Sequence, residues 1–233
     1  MDKKNKIIQR TIVTVSELCV REAAEGEAKS RIIDGYAILF NTPSAPFFQD
    51  EKREVREVIA PEAITREFLD KCDIKLTMFH DRQLILGRSN NGSGTLSYEV
   101  DEKGVKFTCE APNTVDGDKA LELVRRGDIA GCSFAFSTYY YDEEWVEHKI
   151  ERDSTGFIHE TYIVRAVTGI YDFTLAADPA YPDTTVEARE FVESLREAQA
   201  SIEEPAPDPA PAVNNSYREQ VAAMRKAARH LNI

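Results

Sequence analysis

Three polar side chains of the kinds used in nucleophilic catalysis stand in apolar surroundings along this chain. His80 ends an apolar run, Ser133 follows a small-residue turn ahead of an aromatic stretch, and Asp172 interrupts a strand-like apolar segment. A hydroxyl, an imidazole and a carboxylate are the parts of a relay in which a base activates a nucleophile and an acid orients the base. Their order along the chain differs from the trypsin-like, subtilisin-like and α/β-hydrolase orders.

The residue types leave open which acid would complete such a relay. Asp172 is the first candidate because it lies within a predicted strand. Asp81 competes because it is adjacent to His80, although the side chains of neighbouring residues on a strand diverge. Asp178 is a third candidate a few residues beyond the predicted strand.

Each of these residues also has a purely structural interpretation. His80 would serve as a buried structural histidine, and Ser133 as a small residue that packs beside the aromatic stretch. Cys132 would be an alternative nucleophile, but alternation along a strand lets only one of the pair Cys132 and Ser133 face a site. His80 is the one histidine inside the predicted strand framework, since the other three lie in an acidic excursion or near the end of the sequence.

Composition and charge narrow the function classes. The 233 residues carry a formal net charge of −12, which argues against free nucleic acid as a partner because phosphate binding needs clustered cations. An acidic surface instead suits a basic peptide or protein. The four cysteines show no CxxC spacing, so we expect neither structural zinc nor a disulfide framework, and a reduced cytoplasmic compartment fits. We expect no membrane span, no signal peptide and no cofactor.

Periodicity predicts many short strands and a few short helices, which is typical of a β-rich α+β domain. A strand predicted over residues 73–79 delivers His80 to its end. A helix is predicted to begin at Asp116 or Asp118 and to end at Gly127, because aspartate caps helix starts and glycine follows helix ends.

The chain is predicted to divide into a main domain over residues 1–200, a linker over 201–216 and a tail over 217–233. Alternating proline in the linker favours an extended, solvated segment. The tail has apolar residues at helical spacing and four arginines or lysines against one glutamate. We therefore predict a basic amphipathic helix that folds on a partner surface, because so short a helix is marginal alone.

Five segments carry a family resemblance, in the family's order and at compatible spacings. These segments are residues 35–41, 57–64, 79–88, 127–136 and 172–182. On these motifs the chain resembles the tailed-phage prohead (capsid maturation) serine proteases, which are similar in fold to the herpesvirus assemblins. The resemblance covers roughly residues 30–190. The chain departs from the family's usual residues at Glu62, Phe79, Ala135, Asp172 and Thr174, whereas His80 and Ser133 do not depart.

The resemblance implies a fold and a set of roles. The fold would be a closed or nearly closed β-barrel surrounded by a few short helices, with residues 1–200 as the protease domain. Ser133 would be the nucleophile, His80 the general base and then acid, and Asp172, where the family has Glu, the residue that orients His80. No metal or cofactor is implied.

The implied function is that of a serine endopeptidase encoded by a phage or prophage. It would process scaffold protein, or the scaffold-like region of the major capsid protein, and then itself, inside the assembling procapsid in the host cytoplasm. The tail over 217–233 would dock the protease on an acidic segment of such a partner. A homo-oligomer is left open. A non-catalytic capsid-assembly or scaffolding protein of the same fold is disfavoured by the pair His80 and Ser133, and a hydrolase of small esters by the tethered tail.

Overall fold

The computed structural model describes residues 6–15, 17–23, 25, 28–177 and 190–197. In this part of the chain the strands are β1 (Ile8–Val15), β2 (Cys19–Val20), β3 (Ile32–Leu39), β4 (Phe48–Gln49), β5 (Arg53–Ile59), β6 (Asp73–Met78), β7 (Asp81–Asn90), β8 (Ser93–Gly94), β9 (Leu96–Val100), β10 (Gly104–Glu110), β11 (Gly131–Thr138), β12 (Val146–Arg152), β13 (Ile158–Val164) and β14 (Gly169–Ala176). The helices are a 3-10 turn (Pro61–Ala63), α1 (Arg66–Leu69), α2 (Val115–Arg126) and α3 (190–197).

The strands form three sheets around one apolar core. The largest sheet has the order β1-β11-β14-β6-β7-β8, in which only the β14–β6 pair is parallel. A second, fully antiparallel sheet has the order β2-β3-β10-β9. The third has the order β12-β13-β5-β4, with β13 and β5 parallel. The β-rich α+β class predicted from the sequence is therefore confirmed.

Strand β11 lies between β1 and β14 in the largest sheet and is buried along its whole length. Phe134 and Phe136 point to one face, where their rings lie 5.4 Å apart between centroids, and both are fully buried. Alternation puts Ser133 on the opposite face. Because both faces of the strand are covered, a polar side chain on β11 needs a partner from another element.

Helix α2 begins and ends with capping interactions. The Thr114 side chain accepts a hydrogen bond from the Gly117 backbone N–H at 3.2 Å, and Gly127 takes the left-handed conformation at φ 77°. The predicted end at Gly127 is confirmed. The predicted start at Asp116 or Asp118 is wrong: both lie in the first turn, where their charge favours the positive helix end, and the cap is Thr114.

Two further expectations from the sequence concern the barrel and the C-terminal segments. The closed or nearly closed barrel is not confirmed, because across the described residues each of the three sheets keeps two edge strands. The linker over 201–216 and the tail over 217–233 lie outside the described residues. None of the helices in the described part of the chain is both long and apolar enough to cross a membrane.

Candidate active site

His80 is held in a turn that leaves the end of β6. Both Phe79 and His80 adopt φ 57°, a left-handed conformation that residues other than glycine rarely take. Two hydrogen bonds fix the turn: Phe79 N–H donates to the Leu175 carbonyl at 3.1 Å, and His80 N–H donates to Thr174 Oγ1 at 2.8 Å. Strand β14 therefore sets where the imidazole lies.

The polar groups of the site come from one face of three neighbouring strands. Ser133 on β11 pairs with Thr174 on β14, and Thr174 pairs with Thr77 on β6. Asp172 lies two residues before Thr174 and therefore shares its face. The Thr77 hydroxyl donates to Thr174 Oγ1 at 2.8 Å, and both threonines are fully buried. This face concentrates hydroxyl and carboxylate groups beneath the His80 turn.

The structure brings His80, Ser133 and Asp172 together. His80 Nε2 lies 2.9 Å from Ser133 Oγ, and His80 Nδ1 lies 2.9 Å from Asp172 Oδ1. In the tautomer that carries its proton on Nδ1, the ring donates to Asp172, and Nε2 is an acceptor within reach of the Ser133 hydroxyl. These contacts have the connectivity of a nucleophile, a base and an orienting carboxylate.

Asp81 and Asp178 are the two other candidates for the acid that orients His80. Asp81 Oδ1 accepts a hydrogen bond from the Gln83 backbone N–H at 2.8 Å, and the Asp81 side chain is exposed. This hydrogen bond is local to the start of β7. Asp178 lies outside the described residues. Among the described candidates, Asp172 is the carboxylate that contacts the imidazole.

Cys132 faces the apolar core on the opposite side of β11 from Ser133. Burial raises the pKa of the Cys132 thiol to about 12. A thiol in this state is protonated at neutral pH, and only the thiolate is a strong nucleophile. The structure thus gives Cys132 a packing environment.

Ser133 itself is 0 % exposed, whereas a third of the His80 side chain is open to solvent. Strand β1 lies beside Ser133 in the sheet, and its Ile12 carbonyl accepts a hydrogen bond from Ser133 Oγ at 2.9 Å. This contact and the hydrogen bonds of Thr174 were not predicted from the sequence. Ile12 and Ser133 are 121 residues apart, so no local pattern signals their meeting. Thr174 carried one signal, its spacing of two from Asp172 on the same strand.

Within the described ranges, no group of three or more histidine, cysteine, aspartate or glutamate side chains is arranged to hold a metal ion. The polar groups that converge here are the single imidazole, one carboxylate and hydroxyls.

Comparison with known proteins places the chain in a class. A family model of the Caudovirus prohead serine protease matches residues 16–198. The chain therefore belongs to the Caudovirus prohead serine protease family. The structure also resembles that of the bacteriophage T4 capsid assembly protease, gp21, at a TM-score of 0.34 and 12 % sequence identity, covering 73 % of this chain and 97 % of that one. No match to a curated protein sequence was found.

Proposed function

We propose that this chain is a serine endopeptidase that matures a phage procapsid, with Ser133, His80 and Asp172 as its catalytic residues. The observation that carries the proposal is the pair of 2.9 Å contacts that join Ser133 Oγ, the two imidazole nitrogens and Asp172 Oδ1. Membership of a serine protease family supports the same chemistry.

The contacts support the following role for each residue in the proposed reaction. Ser133 Oγ attacks the scissile carbonyl carbon while its proton passes to His80 Nε2. Asp172 accepts from Nδ1–H, so it fixes the tautomer and stabilises the imidazolium that forms. The same Nε2 proton then goes to the leaving amine, and a water molecule repeats the sequence to release the acyl group.

The proposed substrates follow from the family. The protease would cleave scaffold protein, or the scaffold-like region of the major capsid protein, and then its own chain, inside the assembling procapsid in the host cytoplasm. A formal net charge of −12 suits basic substrate segments. The linker over 201–216 would be a site of self-cleavage because extended, solvated chain is what a protease can bind.

Co-expression with the scaffold and capsid proteins of the same phage tests the proposal. Wild type should cleave at least one of these proteins, and intact mass should show fragments of the 26.3 kDa chain itself. Ser133→Ala and His80→Ala should remove cleavage, since losing either partner of a relay removes most of the rate. Ser137→Ala is the matched control: Ser137 lies on the same strand, but its Oγ bonds Thr168 and Tyr171.

The results separate the alternatives. Loss of cleavage in Ser133→Ala and His80→Ala, with full cleavage in Ser137→Ala, supports the catalytic assignment. Full cleavage in Ser133→Ala would overturn it. Procapsids that assemble normally with wild type and show no cleaved protein would favour a non-catalytic assembly role.

A further inference from the structure

Strand β1 lies directly beside the strand that carries Ser133. It runs antiparallel to β11, with Val13 opposite Ser133 in the ladder, and it is the edge strand of the large sheet. Ser133 is 0 % exposed, and the carbonyl nearest its Oγ is that of Ile12, at 2.9 Å. β1 therefore occupies the edge of β11 beside the nucleophile, the edge with which an extended peptide from another molecule would pair.

The Ile12 carbonyl also competes for the proton that the reaction must move. Ser133 has one hydroxyl proton, and two acceptors lie 2.9 Å from its Oγ: the Ile12 carbonyl and His80 Nε2. When Oγ–H points at Ile12, that proton is not aligned for transfer to the imidazole. β1 thus blocks both access to the nucleophile and its activation.

One side chain anchors β1, and its environment is specific. Arg10 Nε and Nη2 donate to the two Glu57 carboxylate oxygens at 2.9 and 3.1 Å, and Glu57 is 1 % exposed. Tyr140 Oη donates to the same carboxylate at 2.7 Å. The Arg10 guanidinium lies 4.5 Å from the Phe47 ring centroid and 4.6 Å from that of Phe191. We call Glu57, Tyr140, Phe47 and Phe191 the arginine pocket.

The pocket fits a guanidinium better than any other side chain. A carboxylate that takes two parallel N–H bonds needs a planar fork, and aromatic faces stack on a planar cation. Burial disfavours the charge on Arg10, but the Glu57 carboxylate more than offsets it, so the pKa of Arg10 lies above its ordinary value. A lysine ammonium would make one bond where arginine makes two.

Glu57 also lies within a family-like motif, residues 57–64, to which the catalytic relay assigns no role. Its carboxylate faces β1, the strand beside the nucleophile. Arg10 and Ile12 lie opposite Phe136 and Phe134 in the ladder, so their side chains share the face of the sheet opposite the Ser133 side chain. The pocket lies about 7 Å along the strand from the Ile12 carbonyl, which contacts Ser133 Oγ.

We propose that β1 lies where the substrate binds, and that the arginine pocket selects an arginine two residues before the carbonyl that Ser133 attacks. The inference rests on the proposed function. An extended substrate would pair through its backbone with the edge of β11 that β1 occupies, which gives affinity, while the pocket gives specificity. A basic residue in the substrate agrees with the acidic net charge of the chain.

β1 is then a tethered competitor of the substrate. A segment joined to its own binding site has a millimolar effective concentration, so the resting protease is mostly closed. Opening breaks one ladder, that between β1 and β11, and leaves β11 paired with β14. A peptide with the matching arginine takes the vacated edge.

The first test measures how fast Ser133 becomes accessible in the full chain. An alkyl fluorophosphonate labels activated serines without needing a peptide recognition sequence, and peptide mapping locates its adduct. The variant Arg10→Met/Glu57→Gln removes the anchor without leaving a buried carboxylate unpaired. It should label Ser133 roughly tenfold faster or more, because weakening the closed state raises the open fraction. The rate of backbone hydrogen exchange over residues 8–15 should rise in the same variant.

Arg21→Met is the matched control for loss of a paired arginine. Arg21 forms a similar two-bond contact with Asp34, at 2.9 and 2.8 Å, on a different sheet. Ser133 in the Arg21→Met variant should be labelled at the wild-type rate. Arg10→Lys keeps the charge and loses the planar fork, and should give a smaller acceleration of labelling if the double variant does not fold.

The second test addresses the arginine. A peptide with the sequence of residues 6–15, added to the Arg10→Lys variant, should slow labelling of Ser133. The same peptide with the Arg10→Met change should need a roughly tenfold higher concentration to slow labelling equally, since it offers the pocket no cation. Equal potency of the two peptides would overturn the arginine pocket.

The outcomes distinguish this inference from the function on which it rests. Labelling of Ser133 at one rate in wild type and the double variant overturns the closure by β1 and leaves the catalytic assignment intact. Unchanged exchange over residues 8–15 shows that the pocket does not hold β1 and also overturns the inference. No adduct on Ser133 in any variant, even where exchange shows β1 released, contradicts the proposed function itself.

Discussion

Replacing Thr174 by valine should disable the turn that holds His80 while preserving the volume of the buried side chain. Thr174 Oγ1 accepts two hydrogen bonds, from the His80 N–H and from the Thr77 hydroxyl, each at 2.8 Å. Valine keeps the shape and leaves both donors without their acceptor. A buried donor left unpaired costs about 1–3 kcal/mol.

The two losses are not equal. Thr77 is fully buried and has no access to water, whereas the His80 residue is partly exposed. We therefore expect Thr174→Val to lower the free energy of unfolding by about 2–4 kcal/mol, with most of it from Thr77. Thr77→Val removes one donor and leaves the acceptor for His80, so it should cost about 1 kcal/mol.

The effect on the reaction should separate the two variants. Thr174→Val frees the left-handed turn, so the distance from His80 Nε2 to Ser133 Oγ is no longer fixed, and fluorophosphonate labelling of Ser133 should slow by roughly tenfold to a hundredfold. Thr77→Val should label within about a factor of three of wild type, because the bond to His80 remains. Thr174→Ser retains the hydroxyl and is the control.

Urea unfolding and the labelling time course, measured on the same preparations, check both halves of this prediction. A Thr174→Val protein that labels as fast as Thr174→Ser would show that the hydroxyl does not position His80. Equal losses of stability in Thr174→Val and Thr77→Val would show that the second hydrogen bond contributes nothing.

Three further predictions concern the acid that orients His80, the Arg56–Glu54 pair and the C-terminal tail. Asp172→Asn should slow labelling of Ser133 less than loss of the imidazole but measurably, while Asp81→Asn should match wild type; the reverse order would move the orienting role. A hydrogen bond from Arg56 holds the pKa of Glu54 below its ordinary value of 4.5, so the stability it contributes is present above pH 4.5 and lost as pH falls through the folded value. Glu54→Gln should therefore make the free energy of unfolding fall less steeply as the pH is lowered below 4.5. An unchanged pH dependence in this variant would contradict the contribution of Glu54. Deleting residues 213–233 should lower the copy number of the protease in procapsids without changing its labelling rate; normal packaging would refute the docking role of the tail.

The residues of the site could be found from the sequence because their local contexts carry a signal. His80 follows a predicted strand, and Ser133 and Asp172 interrupt apolar strands, so each stands out within a few neighbours. The choice between Asp172 and Asp81 could not be made in this way. It depends on the parallel pairing of β14 with β6, which joins segments about a hundred residues apart.

The position of β1 beside Ser133 was beyond sequence reasoning for the same reason. The first strand was predicted from its β-branched residues, but its partner, β11, begins more than a hundred residues later. The strand propensity of a residue reflects how well it fits a half-buried, pleated surface. It does not say which strands pair with each other or in what register. The Arg10–Glu57 pair likewise spans 47 residues and two sheets, so only the folded chain shows that a family-like motif faces β1.

The proposed function depends on activation of the Ser133 hydroxyl by His80, which can be measured as the rate at which this hydroxyl reacts. The full-length chain is treated with an alkyl fluorophosphonate, and the rate and position of the adduct are followed by mass spectrometry in wild type, His80→Ala and Ser137→Ala. We predict a single adduct on Ser133, formed equally fast in Ser137→Ala and slower by roughly 10²–10⁴ in His80→Ala, the range that a general base contributes. An adduct on another serine, or one that forms on Ser133 at the same rate without His80, would contradict the account.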